Sequence, residues 1–83
     1  DGGVMTGLPR QQAMTYAAQT VMGAAAMVLE TGKHPGELKD AVCSPAGSTI
    51  VGVAKLEENG FRSAAIQAVK AGYDKNVELG KVK

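Results

Sequence analysis

The segment from Arg10 to Thr31 constrains the fold most, because as a helix it is apolar around nearly its whole circumference. Two neighbouring apolar stripes run along it and leave little polar surface after Tyr16. One stripe comprises Ala13, Ala17, Val21, Ala24 and Val28, and the other comprises Met14, Ala18, Val21, Ala25 and Leu29. Such a helix is buried from several sides. Since the chain has 83 residues, we expect another subunit or another domain to cover part of it.

Glycine and proline residues mark the ends of this helix. The opening "DGGVMTGLPR" predicts a turn, and Pro9 suits the first helical position, where its missing N–H group is not needed. Thr31 followed by Gly32 predicts the C-terminal stop. Gly23 lies in the helix interior, where glycine costs up to about 1 kcal/mol relative to alanine. This cost is tolerable where a second helix packs closely.

Three further helices are predicted after this stop. They run from about Pro35 to Val42, from about Ile50 to Glu57, and from about Phe61 to Leu79. His34 is a candidate cap for the first of them, and Asn59-Gly60 predicts the end of the second. Glu57 and Arg62 flank this corner and are expected to pair around it. The polar tail "GKVK" is expected to fray. No strand alternation appears, so the predicted fold class is all-α, with four helices plus a remnant of a preceding one.

Composition excludes several classes of protein. Nine Lys and Arg residues stand against eight Asp and Glu residues without a basic stripe, so no nucleic-acid surface is indicated. The longest apolar run, Val21 to Leu29, is far shorter than the roughly 20 residues that cross a bilayer. Cys43 is the only cysteine, so no internal disulfide forms, and a cytoplasmic location fits best. The opening on Asp1 suggests a processed product or a piece of a longer protein.

Few residues are candidates for chemistry. His34 is the only histidine, and a structural or capping role is favoured over a metal site or a catalytic triad. Cys43 lies near a helix start, where thiolates are favoured, but a spectator thiol is the preferred interpretation. We find no carboxylate dyad and no metal-ligand pattern. Gly2-Gly3 lacks the further glycine and the strand-to-helix context of a dinucleotide-binding motif.

A small, hydroxyl-rich turn, Ser44 to Ser48, leads directly into an apolar helix. The N–H groups at a helix start lack intrahelical partners and attract anions such as carboxylate or phosphate. Gly47 lets a ligand approach the backbone, while Ser44, Ser48 and Thr49 add hydroxyl donors. The same residues are also preferred helix caps, and the residues alone favour that simpler role. The pattern therefore leaves two interpretations open, an anion cradle and a plain cap.

Longer stretches of the chain are similar to one enzyme family. From Asp1 to about Ala71, "DGGVMTGLPR", "AAQTVMGAA" and especially "HPGELKDAVCSPAGSTIVGVAKLE" resemble the C-terminal helical domain of pyrroline-5-carboxylate reductases, which catalyse the last step of proline biosynthesis. Two positions depart from the family pattern. Ala46-Gly47 replaces a usual Gly-Gly pair, and Ala26 replaces a common lysine. Alanine at position 46 matters if the turn requires a positive φ there.

The resemblance implies more than these residues contain. It implies an interlocked homodimer of the 6-phosphogluconate-dehydrogenase C-terminal type, often built into larger rings. It also implies an N-terminal Rossmann domain, absent from residues 1–83, that binds NADPH or NADH. Which nucleotide is used stays open, because the residues that read the ribose lie in that domain. The expected reaction is reduction of 1-pyrroline-5-carboxylate to L-proline without a metal, and the isolated chain is expected to be inactive.

Site residues follow from the same resemblance. It implies that the substrate carboxylate is held by the N–H groups of Ser48 and Thr49 and by the hydroxyl of Ser44. Gly47 allows close approach, and the Thr49 hydroxyl lies near the ring nitrogen, where it orients or delivers a proton. Two alternatives remain: a non-catalytic helical oligomerisation module, and a related imine or β-hydroxyacid reductase.

Overall fold

The computed structural model describes residues 1–81, and their regular secondary structure is entirely helical. The helices are α1 (Gly2–Met5), α2 (Arg10–Thr31), α3 (Pro35–Val42), α4 (Ser48–Glu58) and α5 (Phe61–Lys81). The all-α prediction is confirmed for this part of the chain. Part of the predicted opening turn forms the single helical turn α1, which stands in the place expected for a remnant of a preceding helix.

The long helix α2 begins one residue later than predicted. Pro9 is its N-cap, with φ −56° and ψ 145°, so the proline precedes the helix. Its carbonyl already accepts a hydrogen bond from Ala13 N–H at 3.0 Å. At the other end Gly32 adopts the left-handed conformation with φ 67°, and its N–H donates to the carbonyl of Val28. The predicted glycine stop is confirmed, because this conformation favours glycine.

The short helix α3 begins under a histidine cap. Nδ1 of His34 accepts a hydrogen bond from Gly36 N–H at 2.9 Å, and the His34 carbonyl accepts from Glu37 N–H at 2.9 Å. Both bonds satisfy N–H groups that a helix start leaves without intrahelical partners. The predicted capping role of His34 is confirmed.

The corner between α4 and α5 is closed by a two-point ion pair. Nε and Nη2 of Arg62 donate to the two carboxylate oxygens of Glu57 at 2.8 and 2.9 Å, as the sequence predicted. These hydrogen bonds, together with the negative charge of Glu57, raise the pKa of Arg62 above its ordinary value. Gly60 turns the chain with φ 71°. Helix α5 continues to Lys81, beyond the predicted end at Leu79, because no residue before Lys81 interrupts it; Val82 and Lys83 of the tail lie outside the described residues.

The chain divides into two compact units, Asp1–Ala41 and Val42–Lys83. In the first unit α1 packs on α2, where Ala13 is the one buried apolar residue of the described chain, and Asp1 pairs with Arg10 at 2.6 Å. In the second unit α4 packs on α5. A single buried alanine is far less than a stable domain needs, so the described residues carry apolar surface that lacks internal cover.

Uncovered apolar side chains are concentrated on the two long helices. On α2 the exposed fraction is 84% for Leu29 and 71% for Val21. On α5 it is 75% for Val69 and 68% for Ile66. The spacing of Ile66, Val69 and Tyr73 places these residues along one side of α5. No helix in residues 1–81 is both long and apolar enough to cross a membrane.

Candidate functional site at the start of α4

The residues Ser44 to Gly47 form a tight turn immediately before α4. Gly47 N–H donates to the Ser44 carbonyl at 3.0 Å, which closes the turn. Pro45 occupies the second position and Ala46 the third, where φ is 59°. A proline followed by a residue of positive φ inside this hydrogen bond is the pattern of a type II turn.

Ala46 occupies a conformation that favours glycine. It is the only non-glycine residue with a positive φ in the described chain. The left-handed region costs an L-residue roughly 1–2 kcal/mol because Cβ crowds the backbone carbonyl. The turn therefore does require a positive φ at the position where alanine replaces the glycine expected from the resemblance.

The constraint at Gly47 is space, since its backbone angles suit any residue. It is the N-cap of α4 with φ −78° and ψ 169°, an extended conformation. A Cβ atom on Gly47 would collide with the Ser44 hydroxyl and lie 3.2 Å from the Ser44 carbonyl oxygen. The Ser44 side chain therefore lies directly against the backbone of Gly47, and glycine makes that contact possible.

The N-terminus of α4 is open. No side chain forms a capping hydrogen bond to it, and the first intrahelical bond runs from Val51 N–H to the Gly47 carbonyl. Within residues 1–81, the N–H groups of Ser48, Thr49 and Ile50 have no acceptor. Capping therefore does not account for the serine and threonine residues here. Three N–H groups with a partial positive charge point out of the helix end, which suits a small anion.

The predicted site residues lie together at this helix start. Ser44 touches Gly47, and Ser48 and Thr49 form the first turn of α4; the three hydroxyl residues are exposed and Gly47 is half-buried. In the described chain none of the three hydroxyl groups is held by a hydrogen bond. The sequence interpretation did not include the N–H group of Ile50. Its contribution depends on α4 beginning at Ser48, two residues before the predicted start near Ile50.

The other candidate features, the single cysteine and the groove between α4 and α5, add no catalytic group to this site. Cys43 is a half-buried free thiol beside the turn. A shallow, mainly apolar groove of about 400 Å³ lies between α4 and α5, and its charged residue, Lys55, pairs with Glu58 at 2.6 Å. Within the described residues, no three His, Cys, Asp or Glu side chains are grouped to hold a metal ion.

An all-helical chain with almost no core, long uncovered apolar helix faces and an open helix start has the features of a helical assembly domain. The protein-family model for pyrroline-5-carboxylate reductase dimerisation matches residues 1–79. The chain therefore belongs to the pyrroline-5-carboxylate reductase dimerisation family, as the sequence resemblance predicted.

Individual relatives agree with this assignment. The chain is 57% identical over 81 residues to the pyrroline-5-carboxylate reductases of a Synechocystis strain and of Escherichia coli K12, in each case over 98% of this chain and 30% of the relative. It is also similar to the crystal structure of Plasmodium falciparum pyrroline carboxylate reductase with NADP bound. That match has a TM-score of 0.80 at 38% identity and covers 86% of this chain and 29% of the other. The chain thus spans about 30% of the length of these curated relatives.

Proposed function

We propose that this chain is the dimerisation and substrate-carboxylate domain of a pyrroline-5-carboxylate reductase. In this proposal the complete enzyme reduces 1-pyrroline-5-carboxylate to L-proline, the last step of proline biosynthesis. The observation that carries it is the open N-terminus of α4, where Ser48, Thr49 and Ile50 present N–H groups without acceptors in the described chain. Membership of the dimerisation family supports the choice of substrate.

The proposed site orients a cyclic imino acid. The carboxylate accepts hydrogen bonds from the N–H groups of Ser48 and Thr49 and from the hydroxyl of Ser44. Charge-assisted hydrogen bonds contribute about 1.5–3 kcal/mol each, so two or three of them hold the ring in one pose. Gly47 leaves room for Ser44 to lie beside the carboxylate. Holding the ring in one pose raises the rate by positioning rather than by covalent chemistry.

Thr49 has a second proposed role at the ring nitrogen. When bound, NADPH or NADH supplies a hydride to the imine carbon of the C=N bond, the carbon that becomes C5 of proline, and a proton must reach or remain on the nitrogen. The Thr49 hydroxyl can accept and donate a hydrogen bond, so it can hold that N–H group in place. The nucleotide belongs to a Rossmann domain outside residues 1–83. The NADP bound to the Plasmodium relative supports a pyridine nucleotide in general.

The uncovered faces of α2 and α5 belong, in this proposal, to a homodimer or a larger ring of dimers. Apolar side chains such as Leu29 and Val69 gain about 25 cal/mol per Å² when a partner covers them, and the described chain gives them no such cover. The free thiol of Cys43 supports a reducing cytoplasm as the compartment.

Substitution of Thr49 by Val in the complete reductase tests the site. The change removes the hydroxyl and keeps the side-chain volume, so we expect KM to rise at least tenfold and kcat to fall. Thr20→Val is the matched control, because the Thr20 hydroxyl bonds only to the Tyr16 carbonyl of its own helix. Ser48→Ala retains the backbone donor and should change KM less than Thr49→Val. Unchanged kinetics in Thr49→Val would support the alternative of a non-catalytic oligomerisation module.

Two assays test whether activity needs a second domain and which substrate is reduced. The 83-residue chain mixed with NADPH and 1-pyrroline-5-carboxylate should form no proline, and proline formation would refute the need for a second domain.

With the complete enzyme, 1-pyrroline-5-carboxylate should be reduced in preference to piperideine-6-carboxylate, whose ring is larger by one methylene. The reverse preference would point to a related imine reductase.

A further inference from the structure

Helix α5 carries apolar side chains on a side that α4 does not reach. The groove between the two helices is lined on α5 by Phe61 and Ala64. Ile66 lies two residues after Ala64 and therefore about 200° around the helix, because an α-helix turns once in 3.6 residues. Helix α5 also has 21 residues against 11 in α4, so α4 is too short to cover all of it. We call the exposed side of α5 that faces away from α4 the outer stripe; it consists of Ile66, Val69, Tyr73 and Val77.

Two opposite charges border the outer stripe. Nζ of Lys70 lies 2.8 Å from Oδ2 of Asp74, one helical turn further on, and both side chains are exposed. A basic residue before an acidic one at this spacing is the less favourable order for a single helix, since it opposes the helix dipole. The stability of α5 by itself is therefore a weak reason for this order of charges.

The same order makes α5 complementary to a second copy of itself. Lys70 and Asp74 each stand two residues from Gly72, on opposite sides of it. When two copies of α5 pack antiparallel about a twofold axis beside Gly72, Lys70 of each copy is level with Asp74 of the other. A parallel pair would instead place Lys70 level with Lys70. The charges therefore favour the antiparallel arrangement.

The apolar residues fit the same alignment. Val69 and Tyr73 lie within three residues of Gly72, so they meet their counterparts at the centre of the contact. Ile66 and Val77 lie six and five residues from Gly72 on opposite sides, so Ile66 of one copy meets Val77 of the other. The alignment overlaps the two helices from residue 63 to residue 81, nearly the full length of α5.

We propose that the outer stripe of α5 packs antiparallel on the outer stripe of a second copy of this chain, with two reciprocal ion pairs between Lys70 and Asp74. This inference rests on the proposed homo-oligomer and specifies one of its contacts. Membership of the dimerisation family supports a second copy as the occupant. Mutual cover removes apolar surface from water, and the ion pairs select the alignment. The Lys70 ammonium group has three N–H donors, so it can bond to Asp74 of both copies.

Two charge reversals in the complete reductase test the pairing. Lys70→Glu makes both positions acidic, and Asp74→Lys makes both basic. Each variant alone should need at least about tenfold higher concentration than the unaltered protein to reach its full assembly, because like charges then face each other twice. Co-expression of the two variants should restore assembly to within about twofold of the unaltered protein, since opposite charges face each other again. Sedimentation velocity over a dilution series measures these concentrations.

Lys75→Glu is the matched control. It makes the same charge change on the same helix and also removes an ion pair, the one from Lys75 to Glu78 at 3.4 Å. Lys75 follows Ile66 by nine residues and therefore lies on the opposite side of α5. This variant should assemble like the unaltered protein. A loss of assembly equal to that of Lys70→Glu would show that net charge or helix stability is being measured, which would overturn the pairing.

The mixture of variants separates the remaining outcomes. If each variant assembles poorly and the mixture no better, the loss comes from the pair within one helix, and the proposed contact is wrong. If the unaltered protein is oligomeric and Lys70→Glu assembles equally well, the homo-oligomer stands and only the α5 contact is wrong. If the unaltered protein is a monomer throughout the dilution series, the proposed homo-oligomer fails, and this inference fails with it.

Discussion

The hydroxyl group of Ser44 occupies the space that any side chain at position 47 would need. A Cβ atom on Gly47 would collide with this hydroxyl and approach the Ser44 carbonyl oxygen to 3.2 Å. Because Gly47 has an extended backbone, its small size, and not a special φ, accounts for the residue. The contact couples the shape of the turn to the start of α4, and therefore to the direction of the three open N–H groups.

Gly47→Ala should destabilise the fold through this contact. Overpacking at a close contact costs about 1–3 kcal/mol, so we expect a decrease of that size in the free energy of unfolding, measured by urea titration. The double variant Ser44→Ala/Gly47→Ala should recover part of the loss, because the hydroxyl is gone while the carbonyl contact remains. Gly52→Ala, in the interior of α4 with no neighbour within 4 Å in the described chain, should not destabilise. Equal losses in both glycine variants would contradict the steric explanation.

Substitutions at Ala46 should change the free energy of unfolding according to how well each residue type tolerates the left-handed conformation. Ala46→Gly is expected to raise the free energy of unfolding by about 1 kcal/mol, because strain at φ 59° is removed. Ala46→Val should lower it, because a β-branched side chain tolerates this conformation less well than alanine. Thermal unfolding followed by circular dichroism measures the order, and a less stable glycine variant would show that the positive φ carries no strain.

A charge on the apolar side of α5 should dissociate the assembly. Val69 is 75% exposed in the described chain, and Val69→Asp would place a carboxylate where a partner helix is proposed to pack. Sedimentation velocity should then show a monomer at concentrations where the unaltered protein is oligomeric. Gln67→Asp adds the same charge two residues away, at a side chain that bonds to Ser63, and should leave the oligomer intact. An intact oligomer in Val69→Asp would exclude this face from the interface.

Removal of the histidine cap should weaken the start of α3. His34→Ala loses the acceptor for Gly36 N–H, and loss of an N-terminal cap costs about 0.5–2 kcal/mol. His34→Asn supplies a short side chain with a carbonyl oxygen and should retain most of the stability. Urea unfolding of the two variants provides the comparison. Equal destabilisation by alanine and asparagine would mean that the imidazole contributes by packing and not as an acceptor.

The order of the helices could be predicted because their boundaries are local. Gly32 ends α2 and Gly60 lies at the α4–α5 corner, each in the left-handed conformation that favours glycine. The pairing of Glu57 with Arg62 was also predictable, since the two residues flank a short corner. Errors were small: α2 begins after Pro9, α4 begins at Ser48 and not near Ile50, and α5 extends to Lys81. The polar composition near the C-terminus suggested fraying, but nothing in it breaks helical geometry before Lys81.

Less of the candidate site could be predicted. The residues Ser44, Gly47, Ser48 and Thr49 were identified by their types and by a family resemblance, yet their types alone favoured capping. The structure makes Gly47 the N-cap and leaves the helix start without a side-chain cap. That difference depends on which residue begins α4 and where the Ser44 side chain lies, and neither is encoded in residue type.

The sequence by itself determined an all-helical chain, its helix order and an apolar surface too large for 83 residues to cover, because these depend on side-chain periodicity and on local chain breakers. Only the tertiary structure decided that Ala46 has a positive φ, that the Ser44 side chain lies against Gly47 and that three N–H groups stay open at α4. These features follow from the close packing of one turn against one helix start. Ångström-scale contacts of this kind exist only after the chain has folded.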